Sequence, residues 1–334
     1  MACKQRRERL GDLTSIRLEN DLISVAVIPE LGGKIHSILD RRTDTEFVWK
    51  NPHLAYRKPS YGAAYHEFDS SGIDECVPTV APCGYPNGPW KGIQIPDHGE
   101  VWSIPWKCRQ LEKTRKRTAI ALEVHGVRFP YHIAKNISLA DGRSGVAFRY
   151  ELTNHSHEPF LFVWALHALL NVDERSRIFL PHDTRAVVTW SRNHRLVQDQ
   201  EFLWPLARDN NGNDVDLTYI GPVNIGFADK IVTTSIPDGW CALWNEGSKI
   251  AVVLRFPRRT VTNIGVWLNM GGWGNPGHPE HNNIALEPQI GWDQLDIGCS
   301  KYHQYGVLRP GASQRWKVDV GLLKNVDASA FEGE

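Results

Sequence analysis

The residues best suited to do chemistry lie in Leu286-Glu287-Pro288-Gln289-Ile290-Gly291-Trp292-Asp293. A carboxylate closes a β-like run and a proline follows at once. Proline fixes its own φ and confines the preceding residue to extended geometry. Glu287 is therefore expected at a strand end with a restricted backbone, a setting that suits a general base. His167 interrupts the apolar run from Phe160 to Leu170, and His98 lies in Asp97-His98-Gly99-Glu100. Histidine exchanges protons near neutral pH. Taken alone, however, the first is a satisfied core residue and the second an ordinary hydrogen-bonded loop residue.

Competing chemistries are weaker. Asp97-His98-x-Glu100 and His278-Pro279-Glu280-His281 both combine metal-ligating side chains. On an alternating strand Asp97 and Glu100 point to opposite faces. The second group sits beside the loop Gly274-Asn275-Pro276-Gly277, where chelation is at most incidental. No functional metal and no cofactor are expected. No Gly-x-Ser-x-Gly elbow is present. Gly271-Gly272-Trp273-Gly274 lacks the strand-to-helix setting and the Lys of a phosphate loop.

The elements that must position these groups read as β. Ile16 to Ile28, the turn Leu31-Gly32-Gly33 and Lys34 to Leu39 predict strand, turn, strand. Ile120, Leu122 and Val124, then Tyr131 to Leu139, then Val146, Phe148, Tyr150 and Leu152 alternate with period two. Further strands are expected at Phe160–Leu170, Cys241–Trp244, Ile250–Phe256, Ile264–Leu268, Ile284–Leu286, Tyr305–Leu308 and Trp316–Leu323, with one short helix near Arg195–Phe202. Residues 50–106 lack periodicity but carry eight aromatics, so they predict loops and short strands laid across one face of a scaffold. The fold class is all-β, one large antiparallel β-supersandwich with few short helices, spanning 1–334 as a single domain with its core at about 16–323.

Composition narrows the function classes. Of 334 residues 41% are hydrophobic and 23% charged, an ordinary globular balance. Lys+Arg and Asp+Glu are equal at 38 each, which points to neither nucleic acid nor an anionic membrane. Thirteen Trp offer flat apolar faces with one donor each, suited to sugar stacking and equally to a sandwich core. The basic start Met1 to Arg9 is not followed by an apolar segment, and no run is long enough to span a bilayer. Six cysteines without zinc spacing read as free thiols, and the expected location is cytoplasmic.

Four segments in order resemble the aldose 1-epimerase (galactose mutarotase-like) superfamily, from about Ile16 to Leu323. They are Pro29-Glu30-Leu31-Gly32-Gly33-Lys34-Ile35; Asp97-His98-Gly99-Glu100-Val101-Trp102 with Trp106; Leu152-Thr153-Asn154-His155-Ser156 through Trp164-Ala165-Leu166-His167; and Leu286-Glu287-Pro288-Gln289. The resemblance implies a β-supersandwich with an open sugar-binding face and exchange of aldose anomers through the ring-opened aldehyde, without a cofactor. It implies Glu287 as base on the anomeric hydroxyl, His167 as acid at the ring oxygen and His98 as a second active-site histidine. Asp229, in Gly226-Phe227-Ala228-Asp229-Lys230, resembles a residue that binds sugar hydroxyls.

The chain departs from the family at Ser70 to Thr79, where many relatives carry an Arg-containing or Gly-Gly-containing loop. Here Asp74 and Glu75 stand as acceptors for sugar hydroxyls or as residues of a solvated turn. No arginine set matches that of the hexose-6-phosphate epimerases. Trp267 is expected either at the sugar face or in the core. Two other readings stay open on the same scaffold: a sugar-binding protein without turnover, and a lyase or glycosidase. For a lyase, Tyr61, Tyr65 and Tyr302 are available, with His303 beside the last.

Overall fold

A computed structural model describes residues 2–332; Met1 and positions 333–334, the outer ends of the expected 1–334 domain, lie outside the described residues. Two large antiparallel sheets dominate. The larger has twelve strands. Its middle runs Lys34–Asp40, Ile73–Cys76, Trp164–Leu170, Glu280–Ile290, Asn263–Gly274, Phe227–Ser235 and Arg185–Ser191. The smaller has eight strands, and the last long strand of the chain, Ser313–Lys324, lies inside it between Ile250–Arg255 and Gly145–Asn154.

Period-two side chains explain the layering. In Gly145–Asn154 the residues Val146, Phe148, Tyr150 and Leu152 are buried while Arg149 is exposed. In the larger sheet Ile231, Val266, Leu286, Ala168 and Leu166 face the same apolar core, which runs in sequence from Ile16 to Leu322. Inside that core lies a polar cluster. Glu75 accepts from Lys135 Nζ at 3.0 Å, Tyr150 Oη at 3.0 Å and Trp164 Nε1 at 2.8 Å. A buried carboxylate is tolerated when paired and hydrogen-bonded in this way.

Three expectations about elements are corrected. Arg195–Phe202 forms no helix. Leu196 makes a β-bridge with Asp209, and Glu201–Leu203 is an edge strand on Arg185–Ser191. Lys4–Leu10, read only as a basic start, is a strand paired with Leu13–Glu19. Charge on an edge strand discourages pairing with other chains and hides the β pattern. Glu287 is not at a strand end, because its strand continues to Ile290.

Candidate functional site

The site is built on one ladder interruption. The strands of His167 and Glu287 pair at Ala165–Gln289 and Ala168–Leu286, and no pairing forms at the two positions between. Those positions set Leu166 against Pro288 and His167 against Glu287. Proline has no N–H to give the ladder, which is why it is rare in central strands. At this gap His167 Nε2 stands 3.6 Å from Glu287 Oε1. On the other flank Gly265 is the ladder partner of Glu287. A Cβ there would lie 2.5 Å from both Glu287 Oε2 and Gln289 Nε2, so glycine leaves the room the carboxylate occupies.

Glu287 has no solvent exposure. Lys230 Nζ donates to its two oxygens at 2.8 and 2.6 Å, and Gln289 Nε2 donates to Oε2 at 3.0 Å. Lys230 also lies 3.2 Å from Asp293 Oδ1. The ammonium is the counter-charge for both buried carboxylates. Burial lowers the Lys230 pKa, but Asp293 and Glu287 outweigh it and the result is well above the usual lysine value. Burial raises Asp293, with Lys230 opposing and Glu287 adding to the rise.

His98 enters from the irregular region. It sits at φ 60° and Gly99 at φ 74°. A Cβ on Gly99 would fall 2.2 Å from the Val77 carbonyl oxygen, so this left-handed turn needs glycine. The turn aims His98 at His167, with ring centroids 4.8 Å apart and planes perpendicular at 88°. Tyr65 stacks on His98 at 3.8 Å. Asp97 Oδ1 is 3.0 Å from His98 Nδ1. The two histidines are electrostatically opposite. Burial pulls His98 down, yet the Asp97 carboxylate more than offsets it and the imidazole is raised above its ordinary value. His167 is held well below it by burial, then by the charges of His98 and Lys230.

These side chains line a cleft of about 290 Å³, with Tyr65, His66, Ser70, Leu169, Trp267, Trp273 and Asn283 on its walls. The cleft thus brings together Glu287, His167, His98 and Trp267 of the residues singled out in the sequence. The other three lie elsewhere. Asp229 is one position off: its neighbour Lys230 faces the cleft, while Asp229 accepts from Ser191 Oγ at 2.6 Å and pairs with Arg195. Glu75 belongs to the inter-sheet core. Asp74 lies beneath the cleft, held by Lys34 Nζ at 2.8 Å and Tyr65 Oη at 3.2 Å.

Lys230 and Asp293 were not singled out as site residues, although Lys230 adjoins Asp229; Asp97 entered only as a metal ligand and Tyr65 only as a lyase residue. Glu100 turns away from His98 and accepts from Tyr61 Oη at 2.7 Å and the Arg128 N–H at 2.8 Å. Tyr302 stacks on Trp292 at 3.6 Å. Among the described residues no three His, Cys, Asp or Glu side chains form a metal-ligating group. Nor, among them, is any helix long and apolar enough to cross a membrane.

Several buried polar atoms around the cleft have no partner among the described residues: His167 Nδ1, Asn283 Oδ1, Gln289 Oε1 and Asp74 Oδ1. Such atoms are what a polar ligand satisfies. The arrangement offers a carboxylate acceptor, an imidazole with raised proton affinity, a neutral imidazole between them and indole walls.

A family model described as a domain of unknown function, DUF5107, matches residues 5–99, a segment that includes His98 but neither His167 nor Glu287. No curated protein sequence matches the chain. A galactose mutarotase-like protein from Clostridium acetobutylicum superposes with a TM-score of 0.70 at 13% identity, over 97% of this chain and 99% of that one. A galactose mutarotase related enzyme from Lactobacillus acidophilus gives 0.64 at 17% identity, over 94% and 98%. A TPR-domain containing protein from Parabacteroides distasonis gives 0.65 at 13% identity, over 96% of this chain and 48% of that one. At these identities the likeness is one of fold, and the fold is the galactose mutarotase-like β-sandwich that the motif order implied.

Proposed function

We propose that the protein is an isomerase that interconverts the α and β anomers of a sugar by acid–base ring opening in this cleft. The single observation that carries the reading is the meeting of Glu287 with two histidines of opposite proton affinity in one indole-walled recess. Ring opening needs a proton taken from the C1 hydroxyl and a proton given to the ring oxygen. Each positioned group contributes about 10²–10⁴-fold. Glu287 is the base. The acid is His98 rather than His167, because Asp97 favours the imidazolium at His98 while burial and neighbouring positive charge disfavour it at His167. His167, neutral, hydrogen-bonds the sugar between them. Ring closure on the other face reverses both transfers, so no cofactor is required by the chemistry.

The test is anomer exchange measured by NMR magnetisation transfer across a panel of aldoses and sugar acids, with wild type and Glu287→Gln side by side. Exchange above the spontaneous rate, lost in the variant, is the expected result. A variant with full activity removes Glu287 as base. A second reading, a sugar-binding protein without turnover, is favoured by one observation: Lys230 already donates to both oxygens of Glu287. It predicts ligand-induced line broadening with no exchange on any sugar.

A further inference from the structure

Glu287, His167, His98 and Lys230 account for only part of the lining of the cleft. Along the Glu280–Ile290 strand His281, Asn283, Ala285, Glu287 and Gln289 share one face by alternation, and of these Asn283 and Glu287 line the cleft. Asn283 stands four residues from Glu287, about 13 Å along an extended strand. A single pyranose ring is shorter than that span. Asn283 is 2% exposed, lines the cleft, and its Oδ1 has no partner among the described residues. Ring opening at Glu287 does not use it.

The ground between is shaped. Ala285, small and fully buried, is the ladder partner of Trp267. Trp273 stands at 88° to Trp267 with ring centroids 6.2 Å apart. Trp190 stacks behind Trp267 at 5.7 Å and 23°, which holds that indole upright. Leu169, which lines the cleft beside Ala285, two indoles at right angles and a buried amide oxygen match the surface of a sugar ring, apolar on its C–H faces and donating at its rim.

We propose that this far end is a second sugar subsite, and that the substrate is a reducing disaccharide or longer oligosaccharide. Its reducing ring lies at Glu287 and His98. Its next ring lies in the corner formed by Trp267 and Trp273 and donates a hydroxyl to Asn283 Oδ1. This rests on reading the near end as a sugar-opening site. It adds that chain length, sensed at Asn283 and Trp273, sets specificity.

The experiment compares anomer exchange by NMR on pairs sharing a reducing ring: glucose with cellobiose and maltose, and galactose with melibiose's isomers that end in galactose. Wild type, Asn283→Leu and Trp273→Ala are measured, with Trp273→Phe as a variant that keeps an aromatic wall if the alanine fails to fold. The expected result is a kcat/KM at least about tenfold higher for one disaccharide than for its reducing monosaccharide. That ratio falls toward one in Asn283→Leu and Trp273→Ala and partly survives in Trp273→Phe. Circular dichroism and Tm check the fold of each variant. Monosaccharide exchange that depends on Glu287, with no disaccharide preferred or with a preference the variants leave intact, overturns the second subsite and leaves the isomerase reading standing. No exchange and no binding for either length overturns both.

Discussion

At the scale of single residues, the site is a contest over one carboxylate. Lys230 and, in the proposed reaction, the sugar hydroxyl both seek Glu287, and Lys230 holds it with two short contacts. Glu287→Gln should lower turnover by about 10²-fold or more while sugar binding, read by NMR titration, survives. Lys230→Met should leave two carboxylates buried without their cation. Breaking a buried pair in this way costs about 3–5 kcal/mol, which a urea titration would register. Asp97→Asn tests the acid. With His98 raised by Asp97, activity should fall on the alkaline side as His98 loses its proton. Removing the aspartate should move that limb of the kcat/KM profile down by about one pH unit or more. An unmoved limb would return the acid role to His167. That Glu287, His167 and His98 meet in one cleft was legible because their motifs stand in order along the chain. Lys230 was not, because its partners Glu287 and Asp293 are remote in sequence and the face of its strand was read one residue out, at Asp229.

At the scale of elements, the strands that floor the cleft were legible from alternation and apolar runs. The wall that delivers Tyr65, Asp97 and His98 was legible only as an aromatic-rich region laid over a face. Its geometry comes from turns such as His98-Gly99, which carry no periodic signal. The spurious helix near 195–202 arose where short bridges replace regular pairing. The tight fit of two strands beside Glu287 gives a prediction that belongs here. Gly265→Ala puts a methyl where the carboxylate and the Gln289 amide now lie. Anomer exchange should drop by an order of magnitude or more, with the circular dichroism spectrum unchanged, as the strand backbone can accept alanine. Full activity in this variant would mean that Glu287 need not hold its present position.

At the scale of the whole molecule, buried histidines set a pH signature. His36 is lowered to about 3, first by burial and then by Lys50 and Arg17. His281 is lowered to about 4, first by burial and then by His53 and His278. Each has a folded pKa below its unfolded value of about 6.5. As pH falls from about 6.5 to about 4 the unfolded chain takes up protons the folded one refuses. Stability therefore declines with acidification, by up to about 1.4 kcal/mol per pH unit for each such histidine. His98, raised, works the other way: its share is present at low pH and lost as pH rises through its folded value. Tm should be lower at pH 5 than at pH 7, and His36→Gln should flatten the slope. The strand Ser313–Lys324 carries a different consequence. It is translated after both of its neighbours, yet it sits between them in the smaller sheet and joins Ile250–Arg255 to Gly145–Asn154. Until it emerges from the ribosome, that sheet exists as two unjoined pieces with bare apolar faces. At about 5–20 residues per second the nascent chain spends several seconds in this state, the interval in which a chaperone would have most to shield.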